Sequence, residues 1–289
     1  MSAPSIVSGL SEIAGQYDAI LCDVWGVIHN GRESFPEACE ALVRFGVERG
    51  PVVLISNVPR PSRFVLSQLE ELNVPRAAWS GFVASGDATF AELVKRAPGP
   101  AWAVGPARDG GLYEGSGVDL TEIPEHAAFI SCTGLFDDEI ETPEDYRMRL
   151  QVCADRGLEM VCANPDRVVQ RGDKMIWCAG ALADLYEEMG GKVIMVGKPF
   201  APIYDLSYAE ADRLAGRALD RGRILAIGDG VQTDVAGANN QGLDLLFVAG
   251  GIHAAELAGP GGAMDGGKVE AMLASKRAHA RWATGDLRW

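Results

Sequence analysis

Leu21-Cys22-Asp23-Val24-Trp25-Gly26-Val27 decides how the rest of the chain is read. It closes an apolar run over residues 19–24 that is short, aliphatic and bounded by Asp and Gly, as a strand buried on both faces must be. A carboxylate at the end of such a strand is poorly solvated. It stays anionic only beside a cation or several N–H donors; taken alone, Asp23 also reads as a helix cap or turn residue. Working outward, the same kind of run recurs at 52–56, 192–196, 224–227 and 245–249. Helix-length amphipathic stretches follow at 37–49, 61–72, 203–213 and 235–241. This alternation predicts an α/β fold, a Rossmann-like parallel sheet covered by crossover helices.

The middle of the chain is more heavily punctuated, by Pro98-Gly99-Pro100, Gly110-Gly111 and Gly115-Ser116-Gly117. Strands expected at 102–104, 127–131 and 159–163 would form a second sheet. The expected organisation is therefore a core domain of residues 1–81 and 193–289 with an inserted α/β domain at 82–192. The last stretch, 276–289, is mildly basic and carries Trp282 and Trp289. It reads either as packed on the core or an oligomer partner, or as a frayed tail.

Charge narrows the partners. Lys and Arg number 26 against 40 Asp and Glu, a net −14, which argues against a nucleic-acid or anionic-membrane surface. It leaves room for an anionic small molecule held by a local cation or a metal. The six cysteines include no Cys-x-x-Cys pair and sit in apolar runs, so free buried thiols in a reducing compartment are expected. Residues 1–16 lack a secretory pattern and no apolar run spans a bilayer, so a cytoplasmic location is expected.

Three further polar clusters stand where Asp23 stands, just past a predicted strand, and that edge of an α/β sheet is where ligands bind. Ser56-Asn57 offers a hydroxyl and an amide to phosphate oxygens, or simply ends a strand. Gly197-Lys198-Pro199 offers a fixed point charge. Gly228-Asp229-Gly230-Val231-Gln232-Thr233-Asp234 places two carboxylates on a Gly-rich turn, which suits a hard divalent cation such as Mg²⁺ or, alone, a pair of helix caps. Together they supply carboxylates for Mg²⁺ and donors for phosphate, the requirements of phosphoryl transfer through an aspartyl intermediate.

In this order and spacing the four clusters resemble motifs I to IV of the haloacid dehalogenase (HAD) superfamily. Gly26-Val27-Ile28 with Gly31, Ala84-Ser85-Gly86-Asp87-Ala88, Asn164-Pro165-Asp166 and Cys178-Ala179-Gly180-Ala181-Leu182 resemble its class IIA branch, whose members include sugar-phosphate, nucleotide and p-nitrophenyl-phosphate phosphatases with an inserted C2-type cap. The resemblance implies Asp23 as nucleophile, Ser56 and Asn57 on the transferring phosphoryl group, and Lys198 neutralising the Asp23–phosphate pair. It implies Mg²⁺ held by Asp23, the Trp25 backbone carbonyl, Asp229 and Asp234. The cap loop with Asn164 and Asp166 would help choose a small phosphorylated metabolite; those residues also suffice as plain turn formers. An oligomer formed through the cap is left open.

The departure from the pattern is Trp25. Motif I phosphatases have a second Asp there as general acid/base, and an indole can neither protonate a leaving alkoxide nor activate water. His29 is the nearest substitute, otherwise a loop histidine. Three readings stand: a phosphatase, a phosphate-binding or regulatory protein that has lost turnover, and, third, a C–halogen hydrolase, since a halide leaves without a proton. The run Asp137, Asp138, Glu139 and Glu141 reads as solvated cap surface, and His253 as structural.

Overall fold

In the computed structural model, residues 3–171 and 174–289 are described. The chain divides into two compact units, one made of the N-terminal stretch to Ser56, Leu66–Val83 and Tyr204–Trp289, the other of Asn57–Val65 and Ala84–Ile203.

The first unit carries a seven-stranded sheet in the order Ser5–Ile6, Trp282–Thr284, Asp244–Val248, Ile224–Gly228, Ala19–Asp23, Val52–Ser56, Gly81–Ala84. The first six strands run parallel. Ala19–Asp23 and Ile224–Gly228 are buried along their whole length, which is why their sequences are continuous rather than alternating apolar runs. From Ala19–Asp23 the chain proceeds to Val52–Ser56 on one side, while Ile224–Gly228 lies on the other. That reversal opens a crevice at the carboxyl ends of the strands. Helix Pro36–Glu48 begins with proline at its first turn, where the missing N–H costs nothing, and buries Ala38, Cys39, Ala41, Leu42 and Phe45.

The second unit is the α/β cap. Its five-stranded sheet runs Lys192–Met195, Glu159–Cys162, Phe129–Cys132, Ala101–Val104, Leu120–Thr121, with parallel pairing throughout. Trp102, Ile130, Leu150, Met160, Leu182 and Tyr186 fill its core. Val168–Arg171 and Lys174–Trp177 pair as a separate antiparallel ribbon.

Several expectations need correction. The run at 192–196, read as a core strand, pairs instead with Glu159–Cys162 at the edge of the cap sheet. An apolar β-rich run specifies a strand but not the sheet that receives it. The unit boundaries accordingly differ from those expected at 82 and 192. Of the readings open for the C-terminal stretch, packing on the core is the one found: Trp282–Thr284 is a sheet strand, and Trp282 Nε1 donates to Tyr17 Oη at 2.8 Å, which in turn donates to Asp244. The acidic cap run is not simply solvated, because Asp138 pairs with Arg108 and Glu141 accepts from Tyr146 Oη. All six cysteines are buried, and among the described residues none is in a disulfide. Among the described residues no helix is long and apolar enough to cross a membrane.

Candidate active site

Within the first unit, strand ends bring the acidic residues together. Cys22 pairs in register with Ile227, so Asp23 and Gly228 lie level and Asp229 one step beyond. Asp234 returns on a turn of π-helix over Val231–Val235, where the N–H groups of Asp234 and Val235 both donate to the Gly230 carbonyl. Carboxylate oxygens of Asp23, Asp229 and Asp234 fall within 4.8 Å of one another, and all three residues are buried. Three carboxylates so close repel each other strongly in a low-dielectric setting, and a hard cation taking oxygen ligands is the partner that suits such a set.

The sequence did not announce what holds Asp229. Its Oδ2 accepts the Ile252 N–H at 2.6 Å. A Cβ on Gly251 or on Gly26 would collide with the same carboxylate, and Gly26 also has φ +82°, open to glycine at little cost. The paired glycines Gly250-Gly251 were the visible signal, but spacing alone does not say what a glycine abuts. Asp234 Oδ2 accepts from the Gly230 N–H at 3.0 Å and the Thr233 hydroxyl at 3.4 Å. Ser56 ends the strand beside Ala19–Asp23, one residue past the partner of Asp23.

Trp25 follows Asp23 by two residues and is 37% exposed. The benzenoid part of its indole lies on Gly31, and His29 meets the ring edge-on with centroids 5.1 Å apart. His29 does not fit the acid/base role considered for it. It is buried, burial pushes its pKa down to about 4, and Nδ1 already accepts the Gly31 N–H at 3.1 Å. At neutral pH the imidazole is an enclosed, uncharged ring.

The remaining candidates lie in the cap unit. Asn57 clamps the main chain of Lys198: its Oδ1 accepts the Lys198 N–H at 2.7 Å and its Nδ2 donates to the Lys198 carbonyl at 3.2 Å. The same Nδ2 lies 3.3 Å from Asp166 Oδ1. The Asn57 side chain is thus a positioning group for Lys198, which is itself 2% exposed. Asn164 Oδ1 accepts the Asp166 N–H at 3.0 Å, the turn its residue type favours. Gly180 lets that turn pack closely, since a Cβ there would strike the Pro165 and Asp166 carbonyls. Gly197 is confined in the same way by Asn57, Ser85 and Pro165.

The carboxylate cluster at the strand ends has a family to match. A haloacid dehalogenase-like hydrolase model matches residues 20–119, and a HAD-hydrolase-like model matches residues 195–264. A crystal structure of a hydrolase of the haloacid dehalogenase-like family from Brucella suis 1330 is 42% identical, covers 97% of this chain and 99% of its own, and superposes with a TM-score of 0.86. The chain belongs to the haloacid dehalogenase-like hydrolases. Among relatives, the 5'-nucleotidase YutF of Bacillus subtilis (strain 168) is 26% identical over 239 residues, which are 82% of this chain and 88% of that protein. The p-nitrophenyl phosphatase of Archaeoglobus fulgidus shares the fold at 20% identity and a TM-score of 0.69, covering 93% of this chain and 96% of its own.

Proposed function

We propose that the protein is a Mg²⁺-dependent phosphatase of small phosphorylated metabolites, with Asp23 as nucleophile. The observation that carries the reading is the convergence of three buried carboxylates within 4.8 Å at the crevice of the parallel sheet. The donor set fits the metal: all oxygen, with Asp229 seated in a cradle that a Cβ on Gly26 or Gly251 would fill. Asp23, Asp229, Asp234 and the Trp25 carbonyl would hold it. Bound Mg²⁺ would supply positive charge to a phosphoryl group's oxygens.

The chain's own groups supply the rest. A carboxylate oxygen of Asp23 forms a bond to phosphorus as the ester P–O bond breaks, and the electron pair leaves with the ester oxygen. Water then hydrolyses the acyl phosphate, giving orthophosphate and free Asp23. Ser56 and Asn57 take the phosphoryl-binding roles that the family pattern implies. Lys198, pinned through its main chain by Asn57, is a fixed cation for an anionic ligand. Asn164 and Asp166, in their tight cap turn, are the proposed substrate-selecting loop.

Trp25 favours a second reading, phosphate binding without turnover, because the usual proton donor is missing. A panel of phosphorylated metabolites assayed with Mg²⁺, with Asp23→Asn as control, separates the two. Orthophosphate release that needs both Mg²⁺ and Asp23 supports the enzyme; ligand binding with no release from any substrate supports the alternative.

A further inference from the structure

Two features around Trp25 bear on which phosphate ester can react. The first is the missing proton donor. The indole N–H does not ionise, and His29 is 2% exposed with Nδ1 engaged by Gly31, so neither side chain can protonate a departing oxygen. The second is how the indole is presented. Trp25 is 37% exposed, yet its ring is held by Gly31 against its benzenoid part and by His29 in an edge contact. Gly31 makes the room, with φ +82° and no Cβ to strike the ring. Gly26, the residue after Trp25, abuts the Asp229 carboxylate. Ile252, whose N–H donates to that carboxylate, is 58% exposed. Two exposed apolar residues, Trp25 and Ile252, thus belong to the two loops whose backbone adjoins Asp229, and Trp25 holds the sequence position of the second carboxylate in the family pattern.

We propose that Trp25 is a specificity platform that stacks the aromatic leaving group of an aryl phosphate. The proposal rests on the phosphatase reading above and names its substrate class. When Asp23 oxygen bonds to phosphorus and the P–O(aryl) bond breaks, the electron pair leaves on the phenolic oxygen as an aryloxide. The ring delocalises that charge, so the step needs no proton. An alkoxide has no such delocalisation and waits on an acid that this site lacks. The planar ring that solves the leaving-group problem is also the shape a fixed, exposed indole recognises by offset or edge-to-face contact.

The test uses two non-hydrolysable ligands, phenylphosphonate and methylphosphonate, titrated calorimetrically in the presence of Mg²⁺ into the full-length protein, Trp25→Ala and Trp25→Phe. Methylphosphonate reads the phosphate site alone, and the affinity ratio of the two reads the platform. The expected ratio is about 10 or more for the unaltered protein, near unity for Trp25→Ala and largely kept in Trp25→Phe. Trp25 lies outside the buried core, and the ratio is insensitive to any general loss in the variants. Methylphosphonate binding with no phenyl preference, or the same preference in Trp25→Ala, overturns the platform while leaving the phosphatase reading intact. Failure of both phosphonates to bind overturns the phosphatase reading itself, and the platform with it.

Discussion

Replacing Gly251 with alanine perturbs the seat of Asp229 and little else. A Cβ at that position would lie 2.5 Å from both Cβ and Cγ of Asp229, and closer still to Oδ2. Real Cβ atoms essentially never approach within 3.0 Å, so the carboxylate or the turn at 250–252 must shift. The backbone of Gly251 is not in the left-handed region, so the effect is steric rather than conformational. The shift pulls Asp229 Oδ2 from the Ile252 N–H, a bond to a charged acceptor worth about 1.5–3 kcal/mol. Disturbing the support of a metal ligand typically costs about 10–100-fold in metal affinity, and each tenfold step is about 1.4 kcal/mol, so the two routes agree. We expect Gly251→Ala to bind Mg²⁺ about 10–100-fold more weakly by calorimetric titration, with a smaller gain in thermal stability on adding Mg²⁺. Gly15→Ala is the matched control, because a Cβ there meets nothing within 4 Å. Unchanged Mg²⁺ affinity in Gly251→Ala would refute the claim that this turn holds Asp229 as a ligand.

Two further predictions concern the motif I loop. Trp25→Asp should raise kcat/KM on alkyl phosphates relative to p-nitrophenyl phosphate by at least about tenfold, since a positioned acid is worth roughly 10²–10⁴-fold where the leaving group needs a proton; an unchanged ratio would mean that another group already supplies it. His29 is held below its ordinary pKa by burial, so the folded state binds the proton less well than the unfolded state, and His29 contributes stability at neutral pH that is lost as pH falls from about 6.5 toward about 4. Denaturant titrations across that range should show a shallower decline for His29→Gln, and parallel curves for the two proteins would contradict the buried neutral imidazole.

What the sequence conveyed, and what it withheld, follows from the kind of information each residue carries. Asp23 and Asp229 were legible because a polar residue closing an apolar run marks a strand end, and strand ends of a parallel sheet share one edge; Asp234 was legible from the Gly-rich turn that follows the second of those strands. Strand 192–195 was read correctly as a strand but assigned to the other sheet, since pairing partners leave no mark in a four-residue run. Trp282–Thr284 is too short to show any period, and its place is set by contacts with Tyr17 and Asp244 far away in sequence. The roles of Gly26 and Gly251 against Asp229, and of the Asn57 amide on the Lys198 main chain, are facts of close approach that exist only once the chain is folded.

The central claim is that Asp23 takes the phosphoryl group, and covalent capture tests it most directly. The protein is mixed with Mg²⁺ and p-nitrophenyl phosphate, quenched in acid during the first turnover, and its peptides analysed by mass spectrometry. The account predicts one added phosphoryl group on the peptide carrying Asp23, lost on treatment with hydroxylamine and absent from Asp23→Asn. Turnover of the substrate with no phosphoryl group on that peptide, or with the group on another residue, would contradict it.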